Sequence, residues 1–76
     1  MLLPTTSSGA AARTVYERAL TLNPTLAETH NNLGALLLEM GEVEAALGAL
    51  DQAVTLKPQL VDAQVNRGTA LLITGD

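Results

Sequence analysis

The chain repeats its own prolines, glycines and alanines at an interval of 34 residues. The aligned segments are Asn23-Pro24 with Lys57-Pro58, Asn32-Leu33-Gly34 with Asn66-Arg67-Gly68, Gly41-Glu42 with Gly75-Asp76, and Ala12 and Ala19 with Ala46 and Ala53. These residue types meet different backbone and packing requirements, so their agreement at one shift indicates a repeated structural unit. Units of this length bury their apolar faces mainly against their neighbours.

The residues that recur at this interval also predict where helices begin and end. Pro24 and Pro58 stop the helix before them, because proline lacks an amide hydrogen and restricts the residue that precedes it. Thr25-Leu26-Ala27-Glu28 predicts a capping box, and Gly41 predicts a left-handed helix end. We therefore expect helices over residues 8–22, 25–40, 42–56 and 59–74, with a frayed segment at residues 1–7. Short loops make consecutive helices antiparallel neighbours.

The apolar positions of residues 27–60 predict a seam between two helices. Gly34 faces the partner helix and lets the two approach, while Ala46 and Ala53 share one stripe of the following helix. The side chains expected to fill this seam are Leu33, Leu37, Val43, Leu47, Leu50 and Val54.

Composition favours helix and disfavours several functions. Hydrophobic residues make up 47% of the 76 residues, and Tyr16 is the only aromatic one, which suits helices better than strands. The net charge is -4 and the four basic residues are scattered, so nucleic-acid binding is not expected. No apolar run exceeds four residues, far short of a membrane span. The start lacks a signal-peptide pattern and cysteine is absent, so we expect a cytoplasmic protein.

The spacing of the proline, glycine, alanine and leucine residues makes the unit at 27–60 resemble the tetratricopeptide repeat (TPR). The matching signature residues are His30, Leu33, Gly34, Leu37, Ala46, Leu50, Ala53 and Pro58. Residues 8–26 resemble the second helix of a preceding unit, and residues 61–76 the first helix of a following one. The resemblance implies an all-α fold in which antiparallel helix-turn-helix units stack into a solenoid. Departures from the family pattern are His30 and Gln64 at an aromatic position, Arg67 at a leucine position, and Gly48 inside a helix.

The resemblance also implies a binding groove, because in this family the first helices line a concave face that holds peptides. The corresponding residues are Glu28, Asn31, Asn32, Ala35, Leu38, Glu39, Asp62, Val65, Asn66, Thr69, Leu72 and Ile73. Asn32 and Asn66 recur one unit apart, similar to the asparagine ladder in the repeats of O-linked N-acetylglucosamine transferases. An amide both donates and accepts, so such a ladder would grip a peptide backbone. The alternative interpretation, to which we give equal weight, is that asparagine is simply common at this position in the family and caps local contacts.

Charge on this face bears on the partner. Glu28, Glu39 and Asp62 make an acidic C-terminal tail a poor ligand, so we expect a basic or neutral, partly apolar segment.

Nothing in the sequence predicts catalysis, a metal or a cofactor. His30 is the only histidine and suits a partly buried packing position. Glu28 and Glu39 are eleven residues apart, about 16 Å along one helix, so they do not converge on an ion. We expect no enzyme activity.

Two functions remain open. The first is a protein- or peptide-binding module that uses the groove. The second is a self-associating unit, because the half units at 8–26 and 61–76 each present a surface that another repeat normally covers. Two copies would then stack end to end or exchange helices, and such a heterologous contact can continue into oligomers or filaments.

Overall fold

The computed structural model describes residues 6–75, which form four α-helices. They are α1 (Thr6–Leu22), α2 (Ala27–Glu39), α3 (Val43–Leu56) and α4 (Val61–Thr74). The predicted all-α, solenoid-like fold is confirmed. Of the segment expected to be frayed, residues 1–5 lie outside the described part of the chain, whereas residues 6 and 7 belong to α1.

The start of α2 differs from the prediction. The capping box is wrong, because Leu26 takes the N-cap position without a side-chain hydrogen bond. The Thr25 amide and hydroxyl instead both donate to Asn23 Oδ1, at 3.1 and 2.7 Å. Asn23 offers its acceptor two residues away, which closes a local turn before any helix forms. Thr25 therefore belongs to the turn, and α2 begins at Ala27 rather than at residue 25.

The end of α2 agrees with the prediction for Gly41. Its φ is +83°, the left-handed conformation that glycine adopts without a steric penalty. The amide of Glu42 donates to the Leu37 carbonyl and that of Gly41 to the Leu38 carbonyl, the paired bonds of a Schellman helix end. Gly75 closes α4 with φ +80°. These two glycines turn the chain at equivalent places.

The core is centred on α2, which contacts each of the other three helices. Leu33 and Leu37 of α2 pack with Leu50 of α3 and Ala70 of α4, and Ala46, Leu50 and Ala70 are 0% exposed. A Cβ added at Gly34 would lie 2.5 Å from Leu50 Cγ. Gly34 thus makes room for a side chain of α3, where the sequence predicted only a close approach of the two helices.

Equivalent side chains hold two of the three inter-helix turns, the one between α1 and α2 and the one between α3 and α4. His30 Nε2 lies 2.9 Å from the Pro24 carbonyl oxygen, and Gln64 Nε2 donates to the Pro58 carbonyl oxygen at 3.0 Å. A carbonyl only accepts, so the His30 ring nitrogen carries the hydrogen. The two departures from the aromatic position of the repeat therefore serve one purpose, which is to tie the turn to the helix that follows it.

Candidate functional site

The predicted groove residues lie on two stripes of each helix. Spacings of four, three and four residues place one stripe on a single helical face. This stripe, called the inner face below, comprises Glu28, Asn32, Ala35 and Glu39 on α2 and Asp62, Asn66, Thr69 and Ile73 on α4. All of these are exposed except Ala35 and Asn66, which are half-buried. The remaining predicted residues, Asn31, Leu38, Val65 and Leu72, form a second stripe beside it.

The second stripe differs between the two helices. On α2, Asn31 is only 8% exposed and Leu38 is half-buried, because α4 packs against this side of α2. On α4, the equivalent Val65 and Leu72 are 60% and 84% exposed. The Asn31 side chain is therefore inaccessible to a ligand, whereas Val65 and Leu72 are accessible in the part of the chain that the structure describes.

An asparagine pair joins α2 to α4. Asn66 Nδ2 donates to Asn31 Oδ1 at 2.9 Å. A buried amide without a partner costs free energy, so the two side chains satisfy each other inside the helix contact. Asn32, one residue away, is exposed. The structure thus places Asn32 and Asn66 in unlike surroundings, and the asparagine ladder stays a prediction.

The acidic groups of the inner face are not alike. Lys57 Nζ lies 2.7 Å from Glu28 Oε2, and this hydrogen bond, helped by the backbone amide of Glu28 and the charge of Lys57, lowers the pKa of the Glu28 carboxyl. Glu39 and Asp62 form no ion pair with any other described residue. Their charges are compensated only by solvent, so they dominate the potential of this face.

A depression of about 240 Å³ lies between α1 and α2. Its lining, called the end groove below, consists of Ala12, Tyr16, Asn32, Ala35, Leu36 and Glu39. Three of these belong to the inner face, but Ala12, Tyr16 and Leu36 were not among the predicted site residues. The signal was present, because the shift of 34 residues aligns these three with core residues of the next unit. Ala12 and Tyr16 lie on α1, a second helix, whereas the family's groove is lined by first helices. Leu36 lies on α2 but outside the positions that line the groove in the family.

Two further features bear on the chemistry. Among residues 6–75 no cluster of three acidic or histidine side chains is placed to hold a metal ion. None of the described helices is long and apolar enough to cross a membrane.

Comparison with known families decides the relationship of the chain. A TPR repeat model matches residues 10–41, and a tetratricopeptide repeat model matches residues 27–60. The chain belongs to the tetratricopeptide repeat family. The resemblance drawn from the residue pattern is thereby confirmed. TPR units are generally protein–protein interaction modules and typically serve as non-catalytic scaffolds. No curated protein matches this chain.

Proposed function

We propose that this TPR chain binds an extended segment of a partner protein across its inner face. The observation that carries the proposal is the composition of the accessible surface. Asn32, Thr69 and Ile73 are exposed on neighbouring helices beside the acidic side chains of Glu39 and Asp62. Binding surfaces usually combine apolar contacts with polar groups around them, and this face offers both.

The charges define the class of partner. Glu39 and Asp62 attract lysine or arginine, and the chain as a whole carries a net charge of -4. Like charges across an interface oppose binding, so an acidic segment is disfavoured. Ile73 adds an apolar contact, and the Asn32 amide can both donate to and accept from a peptide backbone. The preferred ligand is an extended segment that carries basic and apolar side chains.

Selection of short random peptides on the 76-residue chain tests this proposal. We expect the selected peptides to be enriched in lysine or arginine together with leucine-like residues. The variant Glu39→Lys with Asp62→Lys should lose that enrichment. Glu44→Lys with Gln52→Lys and Thr55→Lys changes the net charge equally but alters only exposed positions of α3, so it serves as the matched control.

Two results would contradict the inner-face site. One is a set of peptides with no enrichment in basic residues. The other is an equal loss in the control, which would assign binding to net charge alone. Asn32→Ala separates backbone recognition from charge, because it removes an exposed amide without touching the Asn31–Asn66 pair.

A further inference from the structure

Three of the six residues that line the end groove have equivalents, one unit later, at the centre of the core. The aligned pairs are Ala12 with Ala46, Tyr16 with Leu50, and Leu36 with Ala70. The second member of each pair is 0% exposed, in a cluster that Leu33 and Leu37 of α2 complete. The first members are only half-buried, because no helix among the described residues lies over them. The groove thus has the lining of a helix-binding seam.

α4 carries the matching surface. The equivalents of Leu33, Gly34 and Leu37 on α4 are Arg67, Gly68 and Leu71. A Cβ at Gly34 would collide with Leu50, whereas a Cβ at Gly68 would meet nothing within 4 Å. Glycine inside a helix is less favourable than alanine, and no contact of the described residues requires it here. The missing side chain at Gly68 leaves a notch in the surface of α4, which can accept a large side chain from another molecule.

The adjacent stripe of α4 is also uncovered. Val61, Val65 and Leu72 are 68%, 60% and 84% exposed. Their equivalents on α2 are Ala27, Asn31 and Leu38, the first two of which are buried on a helix that α4 contacts. An apolar stripe of this length on one helix indicates a contact surface.

We propose that α4 of one copy of this chain docks in the end groove of a second copy. Gly68 then lies over Tyr16 of the second copy, Leu71 lies toward its Ala12, and Val65 lies beside its Asn32. The docked helix repeats, between two copies, the contacts that α2 makes with α3 and α4 within one copy. The internal interface is the reason for assigning a second copy as the occupant.

This contact is heterologous, since it joins two different surfaces. Each added copy leaves one groove and one α4 exposed, so association continues beyond the dimer. One helix buries less area than a standard interface, and Arg67 replaces the leucine of the internal seam, so the contact is weak. The inference is independent of the peptide proposed for the inner face, although a ligand covering Asn32 and Ala35 would compete with it.

Analytical ultracentrifugation of the 76-residue chain from micromolar to millimolar concentration tests the proposal. The average mass should rise with concentration and pass the dimer value. Gly68→Leu removes the notch and Ala12→Arg fills the groove; each should raise the dissociation constant about ten-fold or more. Gly48→Leu is the matched control, because Gly48 also has open space around its Cβ position but lies on α3. It should associate like the unmodified chain.

A mixture of the two variants gives the sharpest result. Gly68→Leu retains the groove and Ala12→Arg retains the notched α4, so together they should form a 1:1 complex that grows no further. Circular dichroism checks that each variant is folded, and Ala35→Arg replaces Ala12→Arg if that chain unfolds. An unmodified chain that stays monomeric over the whole concentration range would overturn the proposal. So would stronger association of Gly68→Leu, which would indicate non-specific apolar contact, or a mixture that stays monomeric.

Discussion

Single side chains anchor two of the three turns between the described helices more than the helix caps do. The N-cap residues of α2, α3 and α4 make no side-chain hydrogen bond. The turns are held instead by His30 on the Pro24 carbonyl and Gln64 on the Pro58 carbonyl. Because a neutral hydrogen bond contributes modestly to stability, each anchor is individually small, but it recurs at the equivalent position 34 residues later.

Replacing His30 tests this anchor. His30→Ala should lower the free energy of unfolding by about 1 kcal/mol, since it removes the bond to the turn. His30→Gln should cost much less, because Gln64 makes the equivalent bond. Urea unfolding measures both, and Gln64→Ala, which removes the equivalent bond in the next unit, should give a loss similar to that of His30→Ala. Equal losses for His30→Ala and His30→Gln would show that ring packing, and not the hydrogen bond, is what matters.

The Glu28–Lys57 ion pair makes a pH-dependent contribution. Folding lowers the pKa of Glu28, chiefly through the hydrogen bond from Lys57. The associated stability is therefore present above the ordinary pKa of glutamate and is lost as pH falls through the lowered value. Lys57→Gln should raise the pKa of Glu28 in an NMR titration of the carboxyl carbon. An unchanged pKa would mean that Lys57 does not hold this carboxylate in solution.

At the scale of the helices, glycines at similar positions have opposite consequences. Gly34 faces Leu50 across the seam between α2 and α3, whereas Gly48 has open space around it. The difference arises because Gly34 lies under a buried leucine that has no room to move, while Gly48 lies on the exposed side of α3.

The same substitution at the two glycines therefore separates packing from helix propensity. Gly34→Ala should destabilise the protein by about 1–3 kcal/mol through overpacking. Gly48→Ala should stabilise it by about 0.5–1 kcal/mol through reduced backbone entropy in the unfolded chain. Thermal unfolding followed by circular dichroism measures both. Combining Gly34→Ala with Leu50→Ala should relieve the clash, so strictly additive losses would contradict the contact.

For the molecule as a whole, the contact between α2 and α4 joins one repeat unit to the next. Its polar component is the Asn31–Asn66 pair, which is partly buried between the two first helices. Within the described residues no buried side-chain nitrogen or oxygen lacks a partner, so breaking this pair creates a defect that the present packing avoids.

Asn66→Ala should therefore lower the free energy of unfolding by about 1–3 kcal/mol, because it leaves the buried Asn31 amide without a hydrogen-bond partner. Adding Asn31→Ala should recover part of this loss, since both polar groups are then removed. Asn32→Ala should leave stability nearly unchanged. A double-mutant cycle in urea measures the coupling, and equal effects of Asn32→Ala and Asn66→Ala would refute the distinction drawn between them.

The repeat and the family followed from the sequence alone. Proline, glycine and alanine report local requirements such as chain turning and close packing, and these requirements act within a few residues. The prediction therefore placed Gly41 in a left-handed turn and put Leu33, Leu37 and Leu50 in one core. It misjudged the start of α2, because the side chains of Asn23 and Glu28 can each accept a hydrogen bond from the Thr25 amide, and only the three-dimensional arrangement decides between them.

Only the tertiary structure could divide the predicted groove. Asn31 and Asn32 are adjacent in sequence and chemically identical, yet one is buried against α4 and the other is exposed. Residue type does not report which side of a helix a later helix will cover, since that depends on contacts between residues 35 positions apart. For the same reason Ala12, Tyr16 and Leu36 become a groove only once α1 packs against α2. The sequence by itself determined the unit, and the packing of units decided which of its surfaces remain available.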